Sequence, residues 1–174
     1  MKGLILMQNQ FEDTEAFTTI DILRRANIDI ILVNMSDNNV IESQYKNKII
    51  IDTFYKNVKL EEFDFLVIPG GSAVYKSLII DKRVNEAIKN FYENNKLIAA
   101  ICAAPILLKE YLENKDFTCH PHFKNDIKGK YIDKGVVITD KIITARSMYY
   151  TIDFALEIAK FLTGKNIENE LKGE

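Results

Sequence analysis

The chain has 174 residues, of which 47% are hydrophobic and 28% are charged, which is the composition of one ordinary globular domain. Its 23 basic and 25 acidic residues are interspersed and give a formal net charge of −2, which disfavours nucleic acid and anionic lipid as partners. The apolar runs are too short for a signal peptide or a membrane span. We therefore expect a cytoplasmic protein whose partner is a small molecule or another protein.

Short β-rich runs alternate with helical patterns along the chain. The predicted strands, in order, are 4–7, 28–34, 49–51, 65–68, 97–101, 136–139 and 142–144. Apolar spacing predicts helices over 14–26, 84–92 and 151–162, and another that starts after Cys102 with Pro105 in its first turn. Thr14 and Asp81 are the predicted caps of the first two helices, and Gly164 is expected to end the last one.

This alternation predicts βαβ crossovers and a mostly parallel sheet with helices on both faces. The strands are continuous apolar runs, as expected for strands covered on both sides. The last two, separated only by Asp140 and Lys141, predict a hairpin at one edge of the sheet. We predict a single domain over 1–164, with an irregular polar excursion over 117–134, and a short tail over 165–174 in the form of a frayed turn.

Cys102 stands where a buried strand must give way to a helix. At such a junction the first N–H groups of the helix point back at the side chain, and the helix dipole favours an anion there. This position predicts a lowered thiol pKa and a reactive thiolate. The alternative is a buried small hydrophobe, which is the usual role of a cytosolic cysteine.

Two further groups are predicted at the same edge of the sheet, beyond the carboxyl ends of the strands, where ligands of open parallel sheets bind. Glu15 lies in the first turn of a helix, and in a dry pocket its protonated form would donate a hydrogen bond to sulfur. The alternative is a solvated carboxylate favoured by the helix dipole. The N–H groups of Gly71, in the pair Gly70–Gly71, and of Ala103 would form an oxyanion hole, although such a pair is more often only a turn.

Three other residues carry open alternatives. His120 is a candidate proton carrier for Cys102 or a loop histidine bonded to the backbone. Cys119 is a candidate resolving thiol for a sulfenic acid or a packing residue. Arg146 binds an anionic group or, as we prefer, pairs with Asp153.

Several of these motifs together resemble the ThiJ/PfpI superfamily and, within it, the DJ-one (Parkinson disease protein) branch. The motifs are Glu15, Pro69-Gly70-Gly71, Ala100-Ile101-Cys102-Ala103-Ala104-Pro105 and His120-Pro121. The resemblance covers nearly the whole chain and implies a flavodoxin-like three-layer α/β/α sandwich, usually a homodimer, without cofactor or metal. It also implies a nucleophile elbow at Cys102 and a protonated Glu15 beside it. Members are described as redox-responsive proteins whose cysteine oxidises to sulfinate, as chaperones, and as glyoxalases or deglycases acting on methylglyoxal-type carbonyls.

The chain departs from the family pattern at two places. Ala103 follows Cys102 where protease-like members have histidine, so an amidase or protease is the least favoured reading. The segment Ser147-Met148-Tyr149-Tyr150 replaces a turn rich in glycine and proline, and its bulky side chains are expected to narrow the site or alter the dimer surface. Tyr149 and Tyr150 line a pocket or a subunit contact, or lie in the core, the usual place for two aromatics.

The sequence therefore predicts a stress protein that acts on reactive 2-oxoaldehydes through Cys102. The alternative is a redox sensor or chaperone in which peroxide oxidises Cys102 to sulfinate without turnover. The small-molecule partner is thus a reactive carbonyl or a peroxide.

Overall fold

The computed structural model describes residues 1–51 and 53–174, and its helices and strands alternate along the chain. The elements are β1 (Lys2–Met7), α1 (Asp13–Arg25), β2 (Asp29–Asn34), β3 (Val40–Glu42), β4 (Lys48–Ile50), β5 (Phe65–Ile68), α2 (Ala73–Lys76), α3 (Lys82–Glu93), β6 (Leu97–Ile101), β7 (Asp116–Phe117), β8 (Lys130–Tyr131), β9 (Val136–Thr139), β10 (Ile142–Ala145), α4 (Thr151–Thr163) and α5 (Glu168–Lys172).

Six strands form the central sheet in the order β2-β1-β5-β6-β10-β9. All neighbours pair in parallel except β9 and β10, which form the predicted antiparallel hairpin at one edge. The predicted strand over 49–51 does not join this sheet, and that part of the prediction is wrong. Its residues form β4, which pairs with β3 in a separate antiparallel hairpin and leaves Ile50 68% exposed. A run of three apolar residues carries too little signal to separate the two cases.

The core lies on both faces of the central sheet, as the continuous apolar strands predict. Along β1, Leu4 and Leu6 belong to one buried cluster, whereas Ile5 and Met7 belong to the other. This is the two-residue period of a strand that is covered on both sides. Helix α3 packs on the first face, and α1 and α4 pack together on the second. The predicted three-layer α/β/α sandwich is therefore confirmed.

The helix ends confirm two predicted caps and correct a third. Asp81 caps α3 by accepting the Arg83 N–H at 2.9 Å, and Gly164 ends α4 with φ +73°. Helix α1 is capped by Glu12 rather than by Thr14, because the Glu12 carboxylate accepts the Glu15 N–H at 2.7 Å. The helix therefore starts one residue earlier than predicted, and its first turn is fixed by a charge-assisted hydrogen bond.

Two segments differ from their predicted form. The helix expected after Cys102 is a short 3₁₀ helix over Ala104–Leu108, with Pro105 in its first turn as predicted. The tail is not frayed, since it contains α5 and its Ile167 packs against Ile22 and Ala155. The excursion over 117–134 is largely irregular, with a 3₁₀ turn at its centre and the two-residue strands β7 and β8 paired at its ends. Within 1–51 and 53–174, every helix is too short or too polar to cross a bilayer.

Candidate active site

The predicted site residues converge at the carboxyl edge of the central sheet. Cys102 follows β6, Gly70–Gly71 follows β5, and Glu15 lies in the first turn of α1, which follows β1. Cys102, Gly71, Ala103 and His120 line an open cavity of about 510 Å³. Glu15 has no exposed surface, and its carboxyl lies beside the Cys102 side chain, since a methyl group at Gly70 would touch both.

Cys102 has the backbone geometry of a nucleophile elbow. Its φ is +64°, a left-handed conformation that costs a non-glycine residue roughly 1–2 kcal/mol. Two main-chain hydrogen bonds hold it there: its N–H donates to Ala145 O at 2.8 Å, and its carbonyl accepts the His120 N–H at 2.8 Å. The neighbouring β10 and the segment after β7 therefore fix the strained residue, and the thiol points out of both flanking elements into the partly open cavity.

Glu15 is buried rather than solvated, so the alternative of a solvated carboxylate is wrong. Its Oε2 accepts the Gly70 N–H at 2.7 Å, and its Oε1 has no hydrogen-bond partner among the described residues. Burial, helped by the charge of Glu12, raises the pKa of Glu15 from its ordinary 4.5 to about 7, although hydrogen bonds from Gly70 and Cys102 oppose the rise. Near neutral pH the carboxyl is thus poised between its protonated and ionised forms.

The lowered pKa predicted for Cys102 is wrong. Burial raises the pKa of the thiol, and the charge of Glu15 and its hydrogen bond to sulfur raise it further. The N–H of Ala103 lowers it, but the short 3₁₀ helix that follows lacks the dipole of the long helix on which the prediction relied. At neutral pH the thiol therefore keeps its own proton while the Glu15 carboxyl is poised between its protonated and ionised forms, and the two groups titrate as a coupled pair.

The glycine pair is a place of close approach as well as a turn. A methyl group at Gly70 would lie 2.6 Å from Glu15 Oε2 and 2.8 Å from Cys102 Cβ, so only glycine lets the carboxyl and the thiol meet here. Gly71 has φ +93° and packs against the backbone of residues 10–12. The two residues predicted to supply oxyanion donors, Gly71 and Ala103, both line the same cavity as Cys102.

His120 is bonded to the backbone, which is the alternative to a proton carrier given for it above. Its ring Nδ1 accepts the His122 N–H at 3.3 Å and caps the 3₁₀ turn Pro121–Asp126, while its main-chain N–H bonds the carbonyl of Cys102. The ring also lines the cavity. His120 therefore positions the elbow through its backbone, whereas its service as a proton carrier stays a prediction.

Cys119 and Arg146 lie outside the lining of this cavity. Cys119 has no exposed surface, packs in the core, and has its pKa raised to about 12 by burial, which disfavours the resolving-thiol role. Arg146 forms an ion pair with Asp133, so the prediction that it pairs with Asp153 is wrong. The pairing occupies the guanidinium and leaves the proposed anion-binding role without support.

The aromatic pair after Arg146 is not core. Tyr149 is 82% exposed, and the ring of Tyr150 covers Gly135. Together with Met148 they form a 3₁₀ turn ahead of α4, and none of the three lines the cavity beside Cys102. They therefore do not narrow this site within the chain described.

Sequence reasoning missed several residues that line the cavity. Glu12 is 8% exposed, and burial raises its pKa. Gln44, from the turn between β3 and β4, accepts the Ser72 N–H at 2.7 Å and closes one side. The rings of Tyr75 and Phe123 complete the wall. Only Glu12 had a signal in the sequence, as an acidic residue just ahead of a helical pattern.

A mostly parallel α/β sandwich with a left-handed cysteine after a central strand, and a buried glutamate beside it, defines a flavodoxin-like protein of the nucleophile-elbow class. The model of the DJ-1/PfpI family matches residues 1–161, and the chain belongs to that family. The resemblance predicted from the motifs is thereby confirmed.

Relatives match over nearly the full length of the chain. It is 33% identical to Protein DJ-1alpha of Drosophila melanogaster over 97% of this chain and 81% of the relative. It is 31% identical to Glutathione-independent glyoxalase DJR-1.2 of Caenorhabditis elegans over 97% of this chain and 91% of the relative. The crystal structure of Drosophila melanogaster DJ-1beta superposes with a TM-score of 0.91 at 29% identity, covering 99% of this chain and 97% of that one.

Proposed function

We propose that the chain is a glyoxalase-type enzyme that converts 2-oxoaldehydes to 2-hydroxy acids through Cys102. The observation that carries this proposal is the fully buried Glu15 carboxyl, which the Gly70 N–H holds beside the Cys102 side chain and whose pKa burial raises to about 7. A group poised near the working pH is suited to accept and return a proton within one catalytic cycle. The relative from Caenorhabditis elegans that is named a glyoxalase supports the same activity.

The first step is addition of the thiol to the aldehyde. The Cys102 sulfur bonds to the aldehyde carbon while its proton passes to the Glu15 carboxylate. The aldehyde oxygen gathers negative charge beside the N–H groups of Ala103 and Gly71, and Glu15 then returns the proton to it as a hemithioacetal forms. A raised thiol pKa does not prevent this step, because the carboxylate removes the proton as the sulfur attacks.

The second step moves a proton between neighbouring carbons. Ionised again, Glu15 takes the proton from the carbon that bears sulfur and returns it to the adjacent carbon. The hydroxyl proton of the hemithioacetal passes to the neighbouring ketone oxygen, which leaves a 2-hydroxy thioester on Cys102. Water then attacks the thioester carbon, and sulfur departs with a proton as the free thiol, for which His120 at the cavity wall is the proposed carrier. The sum is addition of one water to the 2-oxoaldehyde, with no external oxidant or reductant.

The experiment is formation of lactate from methylglyoxal. Cys102→Ser should abolish turnover, and Glu15→Gln should lower kcat by about 10²–10⁴, the usual contribution of a general base. Cys119→Ala, at the buried cysteine outside the cavity, is the matched control and should keep turnover. In D₂O the lactate should retain hydrogen at carbon 2, because Glu15 returns the proton that it took from the neighbouring carbon. If wild-type protein produces lactate no faster than a free thiol does, the proposed enzyme activity is refuted.

A redox sensor, or a chaperone controlled by the same oxidation, is the second candidate, and the unpartnered Oε1 of Glu15 favours it. Peroxide would oxidise the Cys102 thiol to sulfenate with loss of water, and a second peroxide would give the sulfinate. A protonated Glu15 could then donate to a sulfinate oxygen. Limited peroxide should add two oxygens at Cys102 alone in the intact mass, and this candidate fails if Glu15→Gln oxidises identically. Deglycase activity and assembly as a homodimer stay predictions.

A further inference from the structure

One side of the cavity beside Cys102 is aromatic. Tyr75 of α2 and Phe123 of the 3₁₀ turn Pro121–Asp126 stack with ring centroids 6.0 Å apart and planes 32° apart. The His122 ring meets Phe123 edge-on at 5.0 Å. All three line the same cavity as Cys102, and Tyr75 as a whole residue is 51% exposed, so this aromatic wall of Tyr75, His122 and Phe123 leaves apolar ring surface uncovered. Aromatic rings that stay wet in the free protein are surfaces for an apolar ligand to cover.

The size of the cavity also exceeds what the simplest 2-oxoaldehyde requires. A volume of about 510 Å³ falls within the range of about 300–1,000 Å³ typical of sites for drug-sized ligands. Methylglyoxal, with a single methyl substituent, would touch the thiol and leave the aromatic wall largely unfilled. Because Cys102 and the aromatic wall line the same cavity, we expect a substituent the size of a phenyl ring to lie against the wall while its aldehyde stays at Cys102.

The charge of the residues that line the cavity narrows the class of substrate further. Among the described residues that line the cavity there is no lysine or arginine, and Glu12 contributes a carboxyl group. A phosphate or carboxylate on the substrate would therefore find Glu12 rather than a fixed cation, and like charges in a partly buried site repel. Polar lining groups, chiefly Gln44 and Ser72, suit a neutral carbonyl.

We infer that the aromatic wall selects uncharged 2-oxoaldehydes with an aromatic or bulky apolar substituent over methylglyoxal; this inference rests on the proposed function. Covering the rings of Tyr75 and Phe123 removes apolar surface from water in the transition state as well as in the bound substrate. Even one methylene in an apolar pocket changes kcat/KM by about 10–200-fold. Because this wall is partly open, the expected preference lies at the low end of that range.

The test compares kcat/KM for phenylglyoxal and for methylglyoxal, with the hydroxy-acid products measured by chromatography so that side reactions with arginine are not counted. Wild-type protein should prefer phenylglyoxal by about tenfold or more. Phe123→Ala and Tyr75→Ala should each lower the ratio of the two constants several-fold, whereas Phe123→Leu, which keeps an apolar side chain, should retain most of it. Equal constants in wild type, or a ratio unchanged in Phe123→Ala, would overturn the inference.

The matched control is Tyr92→Ala. It also removes one ring of a stacked pair, Tyr92 and Tyr111 at 4.5 Å, but that pair lies outside the cavity. The ratio of the two constants should equal that of wild type. A ratio that falls as far as in Phe123→Ala would assign the effect to general loosening of the protein and overturn the role of the wall.

A binding measurement separates failure of this inference from failure of the proposed function. If neither aldehyde is turned over, the enzyme proposal fails, and calorimetry with mandelamide and lactamide, the neutral amides of the two products, decides whether the cavity is selective. Mandelamide should bind more tightly to wild-type protein, and Phe123→Ala should remove the difference. Equal binding of the two amides to wild-type protein would overturn the selectivity itself.

Discussion

Glu15→Gln gives a direct measure of the free energy stored in the buried carboxyl. Glu15 is fully buried, and its pKa rises from 4.5 to about 7 on folding. The folded chain therefore holds a proton that the unfolded chain has already lost between these two values, so stability falls as pH rises through this window. Glutamine has no proton to lose and escapes this dependence.

The magnitude follows from the two pKa values. At about 1.4 kcal/mol per pKa unit, a rise from 4.5 to about 7 corresponds to about 3 to 4 kcal/mol of stability lost at high pH. Between pH 5 and pH 8 the wild-type chain should lose about 2 to 3 kcal/mol more than Glu15→Gln. The amide replaces the unpartnered Oε1 with a buried donor, which adds a cost of about 1–3 kcal/mol that is the same at both pH values and cancels in this comparison.

The assay is urea unfolding at pH 5 and pH 8 under reducing conditions, followed by circular dichroism, with unchanged m values as the check for two-state behaviour. Glu61→Gln, at an exposed glutamate, is the control and should stay within about 0.5 kcal/mol of wild type at both pH values. If wild type and Glu15→Gln lose stability equally between the two pH values, the carboxyl is ionised at no cost and the reasoning about the raised pKa of Glu15 is refuted.

Three further outcomes are expected from the same geometry. Gly70→Ala should lose about 1–3 kcal/mol in urea unfolding and about a hundredfold in kcat/KM, because its methyl would lie 2.6 Å from Glu15 Oε2; full activity would show that the acid does not need its present place. Iodoacetamide should label Cys102 in the native protein and the fully buried Cys119 only after unfolding, as read by peptide mass spectrometry; equal native labelling would contradict the burial. Glu12→Ser should keep the cap of α1 within a few tenths of a kcal/mol but remove a charge that raises the pKa of Glu15, so the pH at which activity reaches half its maximum should fall; an unmoved pH profile would exclude this coupling.

The layers of the fold could be predicted because the pattern of apolar residues indicates which faces of the strands and helices are buried. Continuous runs such as Phe65–Ile68 and Leu97–Ile101 predicted parallel strands covered on both sides, and they are the two strands at the centre of the sheet. The helix after Cys102 was not predictable in the same way. All five residues of Ala104–Leu108 are buried, so no polar face marks a helical period, and the turn is set by packing instead.

The candidate site also has features that the sequence predicts and features that it does not. Cys102, Glu15 and Gly70 were predicted because each occupies a position that the motif fixes relative to a strand end. The direction of the thiol pKa was not, since it depends on burial and on the carboxyl beside the sulfur, which only the folded chain brings together. The stacking of Tyr75 on Phe123 was likewise hidden, because the two rings come from separate segments whose paths no local pattern records.

The first turn of α1 couples the start of a helix to the chemistry of the site. Glu12 caps the helix by accepting the N–H of Glu15, which places a second carboxyl one turn away from the first. The charge of that cap raises the pKa of Glu15, and Gly70 holds the Glu15 oxygen against the thiol of Cys102. A carboxyl left in water would ionise well below neutral pH and be a weak proton acceptor at pH 7. The burial that costs the fold stability is therefore the same property on which the proposed role of Glu15 as a base for Cys102 depends, and relief of that cost by substitution is expected to remove the proposed activity with it.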